Sequence, residues 1–346
     1  MRVVRRTLGC GPRSRTIAIW LLAGAACCAS PAQAATHLTA STPGGKIVIA
    51  NGDGSDRRVL GSGWESFISP DGAWVAVTDW DQGPTAPMNH RLELYASAGG
   101  PPAHVLAIEC LSVHWSPDST KLACVDREVP TADPGRLLVI DAASAAVTTL
   151  ATGHLDSRVS FSPDSARLAY AQYMSAASNK GGALKTVDLA TLATATLRQR
   201  AAAPVWGPRA IAFSTVKPGG PYGLRLNVAV VKPDGTGFRR LTRFRPKFLQ
   251  SGLSPVVWSA NGRRLLAALG GQDTFRAYAV NPRRGGARRI EAFVTPSALS
   301  RDGRFVIGGD NTEWSDPVRS NVVRVPWNGG KARVLLRHSD NPSFNG

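Results

Sequence analysis

A short motif recurs along the chain at a nearly constant interval. In its strictest form an apolar residue is followed by Ser-Pro-Asp and then by Gly or Ser. Copies of the motif, strict or looser, begin 41 to 52 residues apart at Ser69, Ser116, Ser162, Gly207, Ser259 and Ser300. In such a motif proline presets a turn dihedral and aspartate accepts hydrogen bonds from the amides that follow it, so each copy predicts a hairpin turn. Repeats of this length are typical of four-stranded propeller blades.

The residues after each predicted turn are apolar at consecutive positions. Examples are Val75-Ala76, Leu122-Ala123 and Leu168-Ala169. Consecutive apolar residues predict a strand that is covered on both faces, as stacked blades require, whereas a two-layer sandwich leaves one face of each sheet in water.

A second element, consisting of a strand, a polar turn and an edge strand, follows each motif and also precedes the first. Its copies span residues 46–60, 91–106, 136–150, 184–197, 225–242, 275–290 and 321–336. We therefore expect an all-β propeller of seven four-stranded antiparallel blades, in which a strand at 37–41 and a strand within 341–346 share one blade. Such closure removes exposed sheet edges. A six-bladed ring with one irregular terminal hairpin is the alternative.

The first 34 residues have the features of a secretory signal. They contain five arginines and no acid, an apolar run over 17–29, and Ala32-Gln33-Ala34 as a cleavage site. We expect residues 1–34 to be removed, leaving 35–346 as a single propeller domain in the periplasm or outside the cell. An uncleaved anchor is the alternative, although the apolar run is short for a bilayer span, and no later segment predicts a transmembrane helix.

Removal of the leader would leave two cysteines, Cys110 and Cys124, on either side of the turn that begins at Ser116. An even pair in an exported chain, nearly symmetric about a hairpin turn, predicts a disulfide. Cα atoms more than about 7 Å apart would exclude it. Two buried thiols are the alternative.

The formal net charge is +17, and arginines cluster on the predicted outer hairpins. The clusters are Arg57-Arg58, Arg239-Arg240 with Arg243 and Arg245, Arg283-Arg284, and Arg288-Arg289. Such a rim would attract an anionic envelope polymer, or it would protect edge strands from aggregation. We do not expect nucleic acid as a partner, because the chain is exported and aromatic residues are not interleaved at a stacking spacing.

Polar residues recur eight positions after the turn aspartates. They are Asp79, Asp126, Gln172 and Asp310, and three of them are followed directly by Trp80, Arg127 and Tyr173. Equivalent positions of blades lie at equivalent radius and height, so we expect these side chains to surround the mouth of the central channel as a ligand-binding funnel for a cation, an amine or a peptide. The alternative is that each aspartate caps the loop after its strand.

The sequence contains no motif for covalent or metal chemistry. Gly-x-Ser-x-Gly, His-Glu-x-x-His, Cys-x-x-Cys and the phosphate-binding loop are all missing. The six histidines show no ligand spacing, and we interpret His114, beside Trp115, as a hydrogen-bonded structural residue. We predict no catalytic residue, no metal site and no cofactor.

The repeats, from about His37 to Gly346, resemble those of the TolB-like, WD-repeat-like propellers. TolB has an α/β domain ahead of its propeller, whereas the repeats here begin next to the predicted cleavage site, so we interpret the chain as a propeller-only relative. Because propellers host unrelated activities, the resemblance indicates the fold, and we expect a monomeric, non-enzymatic binding or scaffold protein of the cell envelope that recognises an envelope protein or a small ligand at the funnel. Alternatives are a propeller-type lyase or glycan hydrolase that uses funnel carboxylates, and a Tol-Pal-like partner of a peptidoglycan-associated lipoprotein.

Overall fold

The computed structural model describes residues 36–79, 91–126, 135–174, 180–219, 223–271, 276–290, 294–310 and 320–346. These residues form 27 strands, and none of them is helical. Neighbouring strands pair antiparallel, apart from one parallel bridge between Leu226 and Gly252. The predicted all-β class is therefore confirmed.

The strands assemble in fours, which we call groups 1 to 7 in chain order. Group 1 contains β1 (His37–Ser41), β2 (Lys46–Asn51) and β3 (Arg58–Ser62). Group 2 contains β4 (Glu65–Ile68), β5 (Trp74–Asp79), β6 (Arg91–Ala96) and β7 (His104–Leu106). Group 3 contains β8 (Cys110–Trp115), β9 (Lys121–Asp126), β10 (Gly135–Asp141) and the first part of β11 (Val147–Leu155). Group 4 contains β12 (Ser160–Phe161), β13 (Arg167–Tyr173), β14 (Gly182–Asp188) and the first part of β15 (Thr194–Trp206).

The remaining groups repeat the same order. Group 5 contains the end of β15 with β16 (Ile211–Pro218), β17 (Leu224–Val231) and β18 (Arg239–Arg240). Group 6 contains β19 (Gln250–Trp258), β20 (Leu265–Gly271), β21 (Arg276–Val280) and β22 (Ala287–Arg289). Group 7 contains β23 (Thr295–Leu299), β24 (Phe305–Gly309), β25 (Val322–Pro326) and β26 (Arg333–Leu336). The last strand, β27 (Asp340–Phe344), returns to group 1.

The two ends of the described chain meet in group 1, as predicted. Strand β27 pairs antiparallel with β1, with Leu38 opposite Phe344 and Thr39 opposite Ser343. The amide of His37 also donates a 2.6 Å hydrogen bond to Oδ1 of Asn345. The expected pairing of the chain ends is therefore confirmed, and it covers the edge that β1 would otherwise expose.

Consecutive apolar residues place the second strands of groups 2 to 7 between two cores, as the sequence indicated. In β9, Leu122 and Cys124 pack with residues of group 2, whereas Ala123 and Val125 pack with residues of group 4. Each fully buried leucine contributes about 2 kcal/mol through removal of its apolar surface from water. The groups are therefore held together by face-to-face packing.

The innermost strands also touch one another in a cycle. In the described residues, β27, β4, β8, β12, β15, β19 and β23 each lie against the next, and β23 lies against β27. Two tryptophan indoles donate to carbonyls of the preceding inner strand, Trp115 to Phe67 at 2.9 Å and Trp258 to Val205 at 3.1 Å. Two serine hydroxyls accept amides of the following one, Ser343 from Ile68 at 3.0 Å and Ser160 from Trp206 at 2.9 Å. These bonds satisfy backbone groups that the sheets leave unpaired.

Candidate binding site at the loop face

The strand order defines two opposite faces of the described part of the molecule. The motif turns join the first strand of a group to the second, and we call the end that carries them the turn face. Because neighbouring strands are antiparallel, the second strands β5, β9, β13 and β24 finish at the opposite end, which we call the loop face. The predicted funnel residues belong to the loop face.

On the turn face the aspartates serve their own turns. In the group 2 turn, Oδ1 of Asp71 accepts the Ser69 hydroxyl at 2.5 Å and the Ala73 amide at 3.0 Å. The equivalent hydroxyl bonds, from Ser162 and Ser300, hold the pKa values of Asp164 and Asp302 below the usual range. Such local capping follows directly from the motif.

Two serines of the turn face connect neighbouring groups. Ser119 and Ser165 have φ values of 62° and 58°, a region that favours glycine. Their hydroxyls accept the amides of Asp71 at 3.0 Å and Asp118 at 3.2 Å from the preceding group. The bond across the blade junction explains why serine occupies a position where other copies have glycine.

Asp126 lies at the end of β9 and is only 2% exposed. Its carboxylate forms an ion pair with Arg136, which stands opposite it on β10, and accepts the Glu109 amide at 3.0 Å. A buried carboxylate requires such partners, because desolvation of an unpaired charge is costly. Asp126 therefore holds the start of β8 next to the start of β10. Its carboxylate is accessible to a ligand only together with the guanidinium of Arg136.

Gln172 and Tyr173 end β13, and both are held by neighbours. Oε1 of Gln172 accepts Nζ of Lys185 at 2.8 Å, and its Nε2 donates to the Thr152 carbonyl at 3.0 Å. The Tyr173 hydroxyl donates to Oδ2 of Asp156 at 2.7 Å. Burial and the negative charge of Asp156 raise the pKa of Tyr173, so it is a neutral donor.

Asp310 directly follows β24 and accepts two bonds from Asn321. The distances are 2.6 Å to the amide and 3.1 Å to Nδ2. Asp79 ends β5 with its backbone opposite Arg91, whereas Trp80 and Arg127 lie outside the described residues. Among the funnel side chains that are described, no hydrogen bond joins one member of the set to another.

Polar side chains of the inner strands and their connections form a second set that the sequence reasoning missed. Nε2 of His114 lies 3.1 Å from Oγ of Ser112, so His114 is hydrogen-bonded as interpreted. Burial and the positive charge of Arg158 lower the pKa of His114 to about 4. Arg158 itself donates to the Pro255 carbonyl of β19 at 3.2 Å, although the two residues are 97 positions apart.

An acidic pair lies on neighbouring inner strands. Burial and the negative charge of Asp340 raise the pKa of Glu65, which is the first residue of β4.

Asp156 bridges two neighbouring groups. Its Oδ2 accepts both the Tyr173 hydroxyl and, at 3.1 Å, the Ala203 amide of β15. Polar residues that interrupt a short inner strand, such as Glu65 and His114, were the available sequence signal.

The arginine rim has a structural component. Arg58 and Arg239 each direct their guanidinium at two backbone carbonyls of the next group, and Arg288 directs its own at one. Arg58 donates to Ser97 and Ala98, Arg239 to Pro282 and Arg283, and Arg288 to Trp327. The guanidinium fork suits two carbonyls at once, so part of the rim joins adjacent groups rather than facing a partner.

The predicted disulfide between Cys110 and Cys124 is present, with Cα atoms 5.5 Å apart. The residues are not directly opposite, because a register shift in the β8–β9 pair places Cys124 opposite Val113 and Cys110 opposite Asp126. The bridge therefore ties the two strands at the loop face, beside the Asp126–Arg136 pair.

The described residues lack both a cluster of metal ligands and a helix that could span a membrane. They contain no group of three or more His, Cys, Asp or Glu side chains placed to hold a metal ion. Within the same residues there is no helix of the length and apolar character needed to cross a membrane.

Comparisons with known proteins identify the fold. TolB from Acinetobacter baumannii matches with a TM-score of 0.57 and 14% identity over 87% of this chain and 78% of that protein. The periplasmic gluconolactonase PpgL of Pseudomonas aeruginosa matches with 0.59 and 18% over 89% and 98%. An oligogalacturonate lyase in complex with manganese matches with 0.55 and 15% over 87% and 84%.

No family model and no curated protein matches the sequence. At these identities the structural likeness shows the fold alone, and it confirms the predicted all-β, TolB-like propeller.

Proposed function

We propose that this protein is an exported propeller of the cell envelope that binds a protein partner at its loop face. The observation that carries the proposal is the placement of exposed apolar side chains. Trp64 precedes β4, Met174 follows β13 and Phe248 precedes β19, so all three lie at the loop face, with exposures of 49%, 97% and 78%. Exposed aromatic side chains and methionine are enriched at protein interfaces.

The surroundings of these side chains support docking. Next to Phe248, the exposed Arg243, Arg245 and Lys247 supply a basic border. Gln172 and Tyr173 are already held by Lys185 and Asp156, so a partner would meet a surface that loses little conformational freedom on binding.

We also propose seven blades, an oxidising compartment, a cleaved leader and contact with an anionic polymer. The cycle of inner strands supports seven blades, one for each group. The disulfide supports an oxidising compartment. The leader composition supports a signal peptide at 1–34 and a domain at 35–346. The remaining rim arginines support contact with an anionic envelope polymer.

An enzyme is the second candidate, because one observation favours it. Burial and the negative charge of Asp340 raise the pKa of Glu65, and a carboxyl group with a raised pKa beside a second acid is an arrangement used in acid-base catalysis. The lactonase and lyase named above share the propeller fold, and they supply the substrates to try, a sugar lactone and oligogalacturonate.

Site-specific photocrosslinking in cells tests the two candidates. A photoreactive side chain is placed at position 174 on the loop face or, as a control, at position 192, where Leu192 is 52% exposed on the turn face. We expect one discrete adduct from position 174 that is absent from position 192, and weaker in the Phe248→Ser background. Equal adducts from both positions, or no adduct from position 174, would overturn the binding proposal.

A turnover assay tests the enzymatic candidate. The purified protein is assayed with a sugar lactone and with oligogalacturonate, with and without manganese. Hydrolysis or cleavage that disappears in Glu65→Gln, while Leu192→Ser retains it, would establish the enzymatic reading in place of the binding one.

A further inference from the structure

The boundary between groups 1 and 7 contains a cleft with a volume of about 450 Å³. It is lined by Thr42, Pro43, Lys46, Val48, Arg57, Arg58, Val59 and His338. These residues come from the β1–β2 turn, from β2, from the start of β3 and from the β26–β27 connection. The cleft therefore lies where the two ends of the described chain are joined, whereas Met174 follows β13 of group 4 and Phe248 precedes β19 of group 6.

Three cations line this cleft, and their partners are neutral. Nζ of Lys46 donates to the Ser62 hydroxyl at 3.1 Å, and Nη1 of Arg57 donates to the Arg337 carbonyl at 3.3 Å. Arg58 donates to backbone carbonyls of the next group. Within the described part of the chain, the ion pairs involve none of the three.

Two of the cations are available to a ligand. Arg58 is occupied by its hydrogen bonds to group 2. Lys46 and Arg57 each donate a single hydrogen bond to a neutral oxygen, and the distances of 3.1 and 3.3 Å are longer than those typical of a charged acceptor. Hydrogen bonds to ionised acceptors are shorter and about twice as strong as those to neutral ones. An anion in the cleft would therefore compete successfully for both groups.

We propose that this cleft binds the phosphate group of a small phosphate monoester. Arg57, Lys46 and His338 line one concavity, and a guanidinium, an ammonium and an imidazole together suit an oxyanion that carries nearly two charges at neutral pH. Val48, Val59 and Pro43 provide an apolar wall for the organic part. The volume is within the range of small-molecule sites.

Isothermal titration of the purified full chain at low ionic strength tests the proposal. The probes are inorganic phosphate, glycerol 3-phosphate and, to detect a lipid source, vesicles that contain phosphatidic acid. We expect saturable one-to-one binding of glycerol 3-phosphate, weakened about tenfold or more in Arg57→Gln and in Lys46→Gln. Arg57→Lys should recover part of the affinity, because it retains the charge.

The matched control is Arg263→Gln, which removes the same charge from an exposed residue of the group 6 turn. Binding that falls equally in Arg263→Gln and Arg57→Gln would reduce the effect to bulk charge and overturn the site. Absence of binding by the wild-type protein, or wild-type affinity in Arg57→Gln with an unchanged melting temperature, would also overturn it. Binding to vesicles but not to glycerol 3-phosphate would replace the small molecule by a lipid surface. The outcome is independent of adduct formation at position 174.

Discussion

The turn face and the loop face use the same residue type in different ways. On the turn face, Asp164 accepts the hydroxyl of Ser162, two positions away, and the amide of Ala166 at 3.2 Å. On the loop face, Asp126 is paired with Arg136 across a strand boundary. The capping seen at Asp164 recurs at Asp71, Asp118 and Asp302, whereas Asp126, Gln172 and Asp310 each have a different partner at the loop face.

The difference shows how a repeat protein acquires individuality. The bonds of a turn aspartate run within five residues of chain, so the same local capping forms wherever the motif is present. The loop-face ends carry no such requirement, so their polar residues are free to take partners from other strands and other groups. The loop face and the blade boundaries are therefore where a specific function can be placed on a general fold.

Loss of the disulfide should have the largest effect on stability. The bridge closes a short loop, with a sequence separation of 14, at the loop face. We expect the Cys110→Ser/Cys124→Ser double variant to lose about 3 kcal/mol in the free energy of unfolding, because its unfolded chain is less constrained. Denaturant unfolding measures the loss, and the wild-type protein in a reductant is the control that should coincide with it. A wild-type transition that is insensitive to reductant would contradict the prediction.

Removal of the buried charge on the loop face should come next. Asp126→Asn leaves Arg136 without its anion, and because the Arg136 side chain is 38% exposed we expect a loss of about 2 kcal/mol, below that of a fully buried pair. The matched control is Asp302→Asn on the turn face, where the ion pair with Arg304 spans 3.6 Å and the side chains are 76% and 52% exposed. That exposed pair should contribute less than about 0.5 kcal/mol. Equal losses of stability in Asp126→Asn and Asp302→Asn, measured by thermal unfolding, would contradict the predicted difference between the two faces.

Lowering the pH should reduce the stability contributed by the interior and by the turn face in two different pH ranges. The folded pKa of His114 is lowered to about 4, so as the pH falls below about 6.5 the unfolded chain takes up the proton first and stability declines until about pH 4. We expect a decline of about 1 to 2 kcal/mol, after allowance for solvent screening, that is missing in His114→Gln.

The lowered pKa values of Asp164 and Asp302 act in a lower window. Their stabilisation is complete above the unfolded pKa of about 3.8 and is lost as the pH falls through the lower folded values. Urea midpoints from pH 7 to pH 2 should therefore show two limbs in the wild-type protein and one in His114→Gln. A slope between pH 6.5 and 4 that His114→Gln retains would assign it to other groups.

The smallest effects should come from the serine that joins two turns. In Ser119→Ala the bond to the Asp71 amide is lost while the positive φ is retained, and we expect a loss of about 1 kcal/mol. In Ser119→Gly the relief of backbone strain should offset most of that loss, leaving a change within about 0.5 kcal/mol. Melting temperatures that fall equally in both variants would show that the hydroxyl bond alone matters.

Features that repeat, or that lie close together along the chain, could be predicted from the amino-acid sequence. The spacing of the Ser-Pro-Asp motif located the hairpins, and consecutive apolar residues such as Leu122-Ala123 identified strands between two cores. The second element occurs seven times and the motif six times, which indicated that the two chain ends pair. It also located the Cys110–Cys124 bridge, because both cysteines flank one turn. The same periodicity placed Asp126, Gln172 and Asp310 at strand ends.

The contacts of those residues became known from the folded arrangement of the strands. Arg158 reaches Pro255 over 97 positions, Asp156 joins Tyr173 to Ala203, and the basic cleft collects residues from both ends of the described chain. None of these contacts recurs from blade to blade, so no periodic signal announces them. A repeat specifies the strand and the turn through local bonds, but the boundaries between blades depend on side chains whose distance is set only once the ring of strands has closed.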